Sequence, residues 1–180
     1  MLHNPPYYRY SLFEQWDKDT FNQLKKIGKT KYYPKISGST KDKNQFLITL
    51  IRTQKSLDDW RKMLIDIMDQ IKSTGKIDTH LLIHTYPQES ISRDRPAWVT
   101  YEEDKIVSDF INKLGTRHIT FRGSDKELSE FVIRFILGQL GHDWEQTIMM
   151  IWEILGDENI ISVKKLNEEM RNFDYMKLFE

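Results

Sequence analysis

Between Ser56 and Gly75 the chain carries the pattern that most limits its fold. Leu57, Trp60, Leu64, Ile67, Met68 and Ile71 recur at three- and four-residue spacing, while Asp58, Arg61, Lys62, Asp66, Asp69 and Lys72 fill the other side. That spacing gathers the apolar side chains into one stripe. It predicts an amphipathic helix over Leu57–Lys72, capped by Ser56 and ended by Gly75. A helix apolar on one face must lay that face on other elements, so the rest of the chain has to supply a packed layer.

The same reasoning predicts helices over Asp17–Ile27, ended by Gly28, over Ile106–Leu114, opened by Thr100 and Glu103 and closed by Gly115, and over Leu128–Leu140, opened by the pair Ser124 and Glu127. Asp143–Leu155 and a last stretch from Ser162 read as further helices. Strands are expected at Tyr7–Phe13, Lys31–Ile36, Phe46–Arg52, Thr79–Tyr86 and Arg117–Arg122, where β-branched and aromatic residues are bounded by Gly, Pro or polar turns. Residues 37–44 read as a polar turn.

The first six elements then run β-α-β-β-α-β, the order of a ferredoxin-like split β-α-β sheet, with an extra α-β unit and a helical C-terminal segment. The expected class is therefore α+β. Its expected domains are residues 1–123 as the sheet domain and 124–180 as helices packed on it or on a partner. Trp60, Leu64, Ile67, Leu82, Phe110, Leu114, Phe131 and Phe135 are the expected core. No internal repetition is read in the sequence.

Composition bounds the function classes. The chain has 180 residues, 39% of them hydrophobic and 30% charged, enough for one domain with a real core. It holds no cysteine, hence no disulfide framework, thiol nucleophile or Cys-bound zinc. No apolar run approaches the roughly 20 residues of a membrane helix, and the first ten residues do not read as a signal peptide. A cytoplasmic location with no membrane contact is the resulting expectation. Net charge is zero, but residues 1–45 carry +5 and residues 126–180 carry −5. A uniformly basic nucleic-acid binder is disfavoured by that split, whereas a local basic patch is not.

The residues that carry chemistry are few. His80 and His84, read as strand residues four apart, would lie roughly 13 Å from one another and share no ion. His142 followed by Asp143 matches a phosphohydrolase dipeptide that chance also produces. No phosphate loop, dinucleotide turn, nucleophile elbow or zinc helix motif occurs. The reading assigns no catalytic residue, no metal ligand and no cofactor, and leans against an enzyme. Residues 87–98 form a long connection of the sort that carries function. In and around it Arg93, Arg95, Trp98 and Tyr101 are residue types favoured at binding hot spots. Trp152 joins them, because Ile148 through Leu155 is apolar nearly all round. A second candidate surface is the basic strip with Lys25, Lys29, Lys31, Tyr32, Tyr33 and Lys35, where lysines meet phosphates and tyrosines stack on bases.

Asp19 through Leu24 leading to Ile27 and Gly28, the Leu57–Ile71 helix, the stretch His80–Tyr86 and the helix Ile106–Leu114 with Gly115 together resemble a family of small α/β proteins found beside bacterial toxin genes and suspected to be immunity proteins. Residues 124–180 have no counterpart in it. The resemblance implies a non-enzymatic inhibitor that binds and blocks a toxin or nuclease, and the acidic C-terminal part suits a basic protein partner. Nucleic acid bound through Lys25–Lys43 is the alternative, and self-association stays open.

Overall fold

The computed structural model describes residues 18–53, 57–86, 109–114, 118–139, 144–155 and 158–171. Its elements are α1 (Lys18–Thr30), β1 (Lys35–Ser37), α2 (Thr40–Arg52), α3 (Leu57–Thr74), β2 (Lys76–Asp78), α4 (Thr79–Thr85), a helical stretch at 109–114, β3 (Thr120–Arg122), α5 (Asp125–Gln139), α6 (Trp144–Leu155), β4 (Ile160–Ser162) and α7 (Val163–Met170). Helix and strand are mixed, as the α+β expectation has it, but helices dominate. The strands form two separate parallel ladders, β1 with β2 and β3 with β4.

Two expected strands are helices, and with them the four-stranded ferredoxin-like sheet gives way. The first is Phe46–Arg52, which lies in α2. Ser39 caps that helix: its hydroxyl accepts from the Asp42 N–H at 3.0 Å, and the Asp42 carboxylate accepts from the Ser39 N–H at 3.4 Å. Every residue from Phe46 to Arg52 is buried. A helix enclosed on all sides has no polar face, so its sequence looks like that of an enclosed strand; the cap decides between them. The second is Thr79–Tyr86. The strand there is only Lys76–Asp78, and the Asp78 carboxylate then accepts from the Leu81 N–H at 3.1 Å and opens α4. Gly28 also fails to stop α1, which runs on to Thr30.

The element order repeats. A shift of 85 residues carries β1 onto β3 and α2 onto α5, and after a one-residue deletion a shift of 84 carries β2 onto β4 and α4 onto α7. Gly38 falls on Gly123, Ser39 on Ser124, Lys41 on Lys126, Phe46 on Phe131, Ile51 on Ile136, Ile67 on Ile151, Ile77 on Ile161 and Leu82 on Leu166. The caps repeat too. Ser124 and Glu127 exchange hydrogen bonds at 2.9 and 3.2 Å, and Ser162 accepts from the Lys165 N–H at 3.3 Å as Asp78 does from Leu81. The chain is therefore an internal duplication, contrary to the unrepeated reading, and each unit is α-β-α-α-β-α. Residue 123 lies within the second repeat of this element order, just before α5.

The units interlock through reciprocal contacts. Asn44 on α2 donates to the Ile119 carbonyl at 3.0 Å and accepts from the Phe121 N–H at 2.6 Å. Its counterpart Ser129 on α5 donates to the Pro34 carbonyl, and Pro34 is the counterpart of Ile119. A contact from i to j matched by one from j's counterpart to i's is the mark of an approximate two-fold axis, the arrangement of a symmetric dimer within one chain. α5 packs on β1 and α1, and α2 packs on β3. The eight expected core residues are all buried, and they belong to one cluster that runs through both units. Neither unit closes a core alone.

Candidate interaction surfaces

In each ladder the middle residues point inward: Ile36 and Ile77 in the first unit, Phe121 and Ile161 in the second, all buried. The ladder ends and the outer helix faces are what each unit presents to solvent. Residues 18–86 hold fourteen Lys and Arg against seven Asp and no Glu, a net of +7, whereas residues 109–171 hold eight against eleven acids, a net of −3. The duplicated framework thus carries opposite charge on its two halves.

The basic strip lies at the first ladder. Lys25 and Lys29 are on α1, Lys31 follows its end, and Lys35 opens β1, where its direct partner across the ladder is Lys76. Lys29, Lys31, Lys35 and Lys76 are exposed and Lys25 is half-buried. Tyr32 is 81% exposed, but Tyr33 packs against the core, so only one of the two expected stacking rings is available. Lys43, at the other end of the sequence run, is spent on Asp125 of the second unit at 2.7 Å. Lys76 was not singled out from sequence, because only the ladder register brings it beside Lys35.

Between α2 and α4, the His80 Nδ1 lies 3.2 Å from the Asp42 carboxylate, and the His84 ring packs at a tilt against His80 with centroids 4.2 Å apart. Four residues on a helix face, rather than on a strand, put the rings in contact and overturn the expected 13 Å separation. Among the described residues no group of three His, Asp or Glu side chains is placed to hold a metal ion. Desolvation, the largest single effect, raises the Asp42 carboxyl, but the His80 ring and the Ser39 backbone and hydroxyl together outweigh it and hold the group below its ordinary value. The matching place in the second unit, between α5 and α7, is a cleft of about 270 Å³ lined by Lys126, Glu127, Glu130, Lys164, Asn167 and Arg171. There the Ser124 backbone and hydroxyl, with help from Lys164, hold Glu127 below its ordinary value. Arg171 grips Glu130 through both carboxylate oxygens, at 3.0 and 3.3 Å.

Trp152 sits on α6, half-buried, edge-on to Phe110 with centroids 5.0 Å apart and with the Lys113 ammonium 5.0 Å from its ring centre. Ile148, Ile151 and Leu155 fill the inner side of α6, while Met149, Met150, Trp152 and Ile154 remain half-buried on the core's margin. Arg93, Arg95, Trp98, Tyr101, His142 and Asp143 lie outside the described residues. Among the described residues no helix is long and apolar enough to cross a membrane. Comparison with family models, with curated proteins and with solved structures finds no match.

Proposed function

We propose that the chain is a non-enzymatic protein-interaction module, an immunity-type inhibitor that binds and blocks a basic toxin or nuclease. One observation supports this reading above the others. In the first unit the outer side of α3 carries Asp66, which accepts from the Tyr86 hydroxyl, and Gln70, which accepts from the Asp78 N–H at 2.7 Å. At the matching places α6 carries Met150 and Ile154. The first unit shows that polar residues can stand at these places, and Met150 and Ile154, packed against the core on one side, still leave part of their apolar surface exposed. Half-covered Met and Trp side chains give an adaptable surface with an anchor at its centre. Exposed Glu153, Glu158, Glu168 and Glu169 lie on the same unit, and negative potential around an apolar contact favours a basic partner.

The test exchanges residues between the units. Met150→Asp and Ile154→Gln import the first unit's residues, and because Met170 stands where Tyr86 pairs with Asp66, circular dichroism must first show that the fold is retained. Tagged wild-type chain, incubated with extract of its source cells, should retain a basic protein that the double variant loses. The wild-type chain should also suppress that protein's toxic or nucleolytic activity. Identical capture by both forms, or a captured protein whose activity the chain leaves unchanged, would overturn the reading.

A further inference from the structure

Three features at one end of the first ladder are unfavourable to stability, and none is needed by the architecture. Lys35 and Lys76 are direct Cα partners, both exposed, and like charges placed opposite one another across a ladder repel. The second unit builds the same ladder with Thr120 opposite Ile160. Lys31 closes α1 with φ of +57°, its N–H donating to the Ile27 carbonyl at 2.9 Å. That left-handed position is one that glycine fills without strain and a lysine does not. Tyr32, next along, leaves 81% of its surface in water. Lys29 in the last turn of α1 adds a further charge beside them.

From Lys31 to Lys35 the chain spans at most about 14 Å, so these groups form one compact patch. Each is retained at some expense of stability, and together they make a coherent recognition surface. We propose that Lys31, Tyr32, Lys35 and Lys76 bind single-stranded nucleic acid, with the ammonium groups on successive phosphates and the Tyr32 ring stacked on a base. The exposed ring selects this ligand over other polyanions: an acidic peptide offers it no flat face, and a duplex keeps its base faces stacked. The patch is built from lysine alone, with no Arg to read guanine edges in pairs of hydrogen bonds, so binding should follow charge and stacking rather than sequence. The +7 charge of the first unit would speed the encounter. This site is on the opposite unit from the α6 surface and stands or falls independently of it.

The experiment is fluorescence anisotropy of a short labelled oligothymidylate with the full chain across a salt series. Wild type should bind at low salt and lose affinity as salt rises. Lys35→Thr and Lys76→Ile, which carry the second unit's residues and should keep the fold by circular dichroism, should each lower the log–log salt slope by about 0.7. Tyr32→Ala should weaken binding roughly 5- to 150-fold while leaving the slope unchanged. Met150→Asp should change nothing, which separates this result from the fate of the protein-binding surface. No binding by wild type at low salt would overturn the proposal, and so would lysine variants with an unchanged slope. Retained affinity in Tyr32→Ala, or polyglutamate competing as well as the oligonucleotide, would likewise overturn it in favour of an unselective cationic surface.

Discussion

Asp42 with His80 in the first unit and Glu127 with Lys164 in the second stand at the same place, between a capped, enclosed helix and the helix that follows its ladder. The acid serves the cap in both, while its outward neighbour has diverged from a histidine to a lysine. Elsewhere the units differ more freely: Lys35 and Lys76 against Thr120 and Ile160, Asp66 and Gln70 against Met150 and Ile154. Many positions alike in both units are those at which the fold closes, among them the glycine and serine before the central helix, its first core phenylalanine and the inward isoleucine of the second strand of each ladder. Among the exposed and half-buried positions that differ, the first unit carries positive charge and the second apolar surface. A duplicated chain thus carries an internal control, in which one unit shows what folding alone requires of the other.

The severest way to break that equivalence is at the enclosed helices. Phe46 and Phe131 are matched and both fully buried. Replacing either by Ala should cost about 3–5 kcal/mol in denaturant unfolding. Phe131 should lie at the upper end, since it stacks on Phe121 at 6.2 Å and packs at a tilt against Phe135 at 5.6 Å. Because one core runs through both units, each loss should appear as a single cooperative transition. A loss below about 1 kcal/mol at one position alone would refute the match.

The glycines before the caps should separate the units. Gly38 has φ of +129°, and a Cβ there would come within 2.1 Å of the Thr79 hydroxyl, which itself donates to the Ser37 carbonyl at 2.7 Å. At Gly123 a Cβ would meet the Val163 Cβ at 3.1 Å, with no such backbone strain. Gly38→Ala should therefore cost about 1–3 kcal/mol, and Gly123→Ala distinctly less. Equal losses would mean that neither the left-handed backbone nor the closer approach at Gly38 sets the requirement.

These comparisons also show what was legible in the sequence. A helix with a polar side, such as α3, stands out along the chain, as does enclosed α5 by its Ser124–Glu127 cap, and so does the buried set from Trp60 to Phe135. α2 does not, because enclosure removes the periodicity that tells helix from strand and its cap reads as part of a polar turn at residues 37–44. The signal that would have corrected it is Gly-Ser-x-Lys followed by an acid, at 38–42 and again at 123–127. Once the second copy reads as a helix start, so does the first. The surfaces were legible by residue type only: lysines, Tyr32 and Trp152 could be named. The pairing of Lys35 with Lys76 and the contrast of Met150 with Asp66 require the ladder and the two-fold relation.

Smaller effects follow at the caps. Ser39→Ala and Ser124→Ala should each cost about 1 kcal/mol. Both acids of the boxes have their carboxyls held below the ordinary value, so their contribution is complete above the pH at which an unfolded carboxyl titrates, near 4. It is lost as pH falls through the lower folded value. Stability measured from pH 7 down to pH 3 should thus fall less steeply in Asp42→Asn than in wild type. An unchanged acid limb would mean that the box does not hold the charged form.

The finest comparison is across the ladders, and here substitution should improve the protein. Lys35 faces Lys76 where Thr120 faces Ile160, and the next rung inward is apolar in both, Ile36 with Ile77 and Phe121 with Ile161. Lys35→Thr relieves the repulsion and places a β-branched residue in a strand, each change worth a few tenths of a kcal/mol, so a gain of about 0.2–1 kcal/mol is expected at low salt. Screening weakens repulsion between exposed charges, so the gain should shrink as salt is raised toward 1 M, where the screening length is about 3 Å. The corresponding change in the second unit, Thr120→Lys, creates no like pair, since its partner is Ile160, and should show no such salt dependence. If Lys35→Thr gains nothing at low salt, the two lysines are not in conflict. The first ladder would then cost the chain no stability, and the argument that these charges are kept for a ligand would lose its premise.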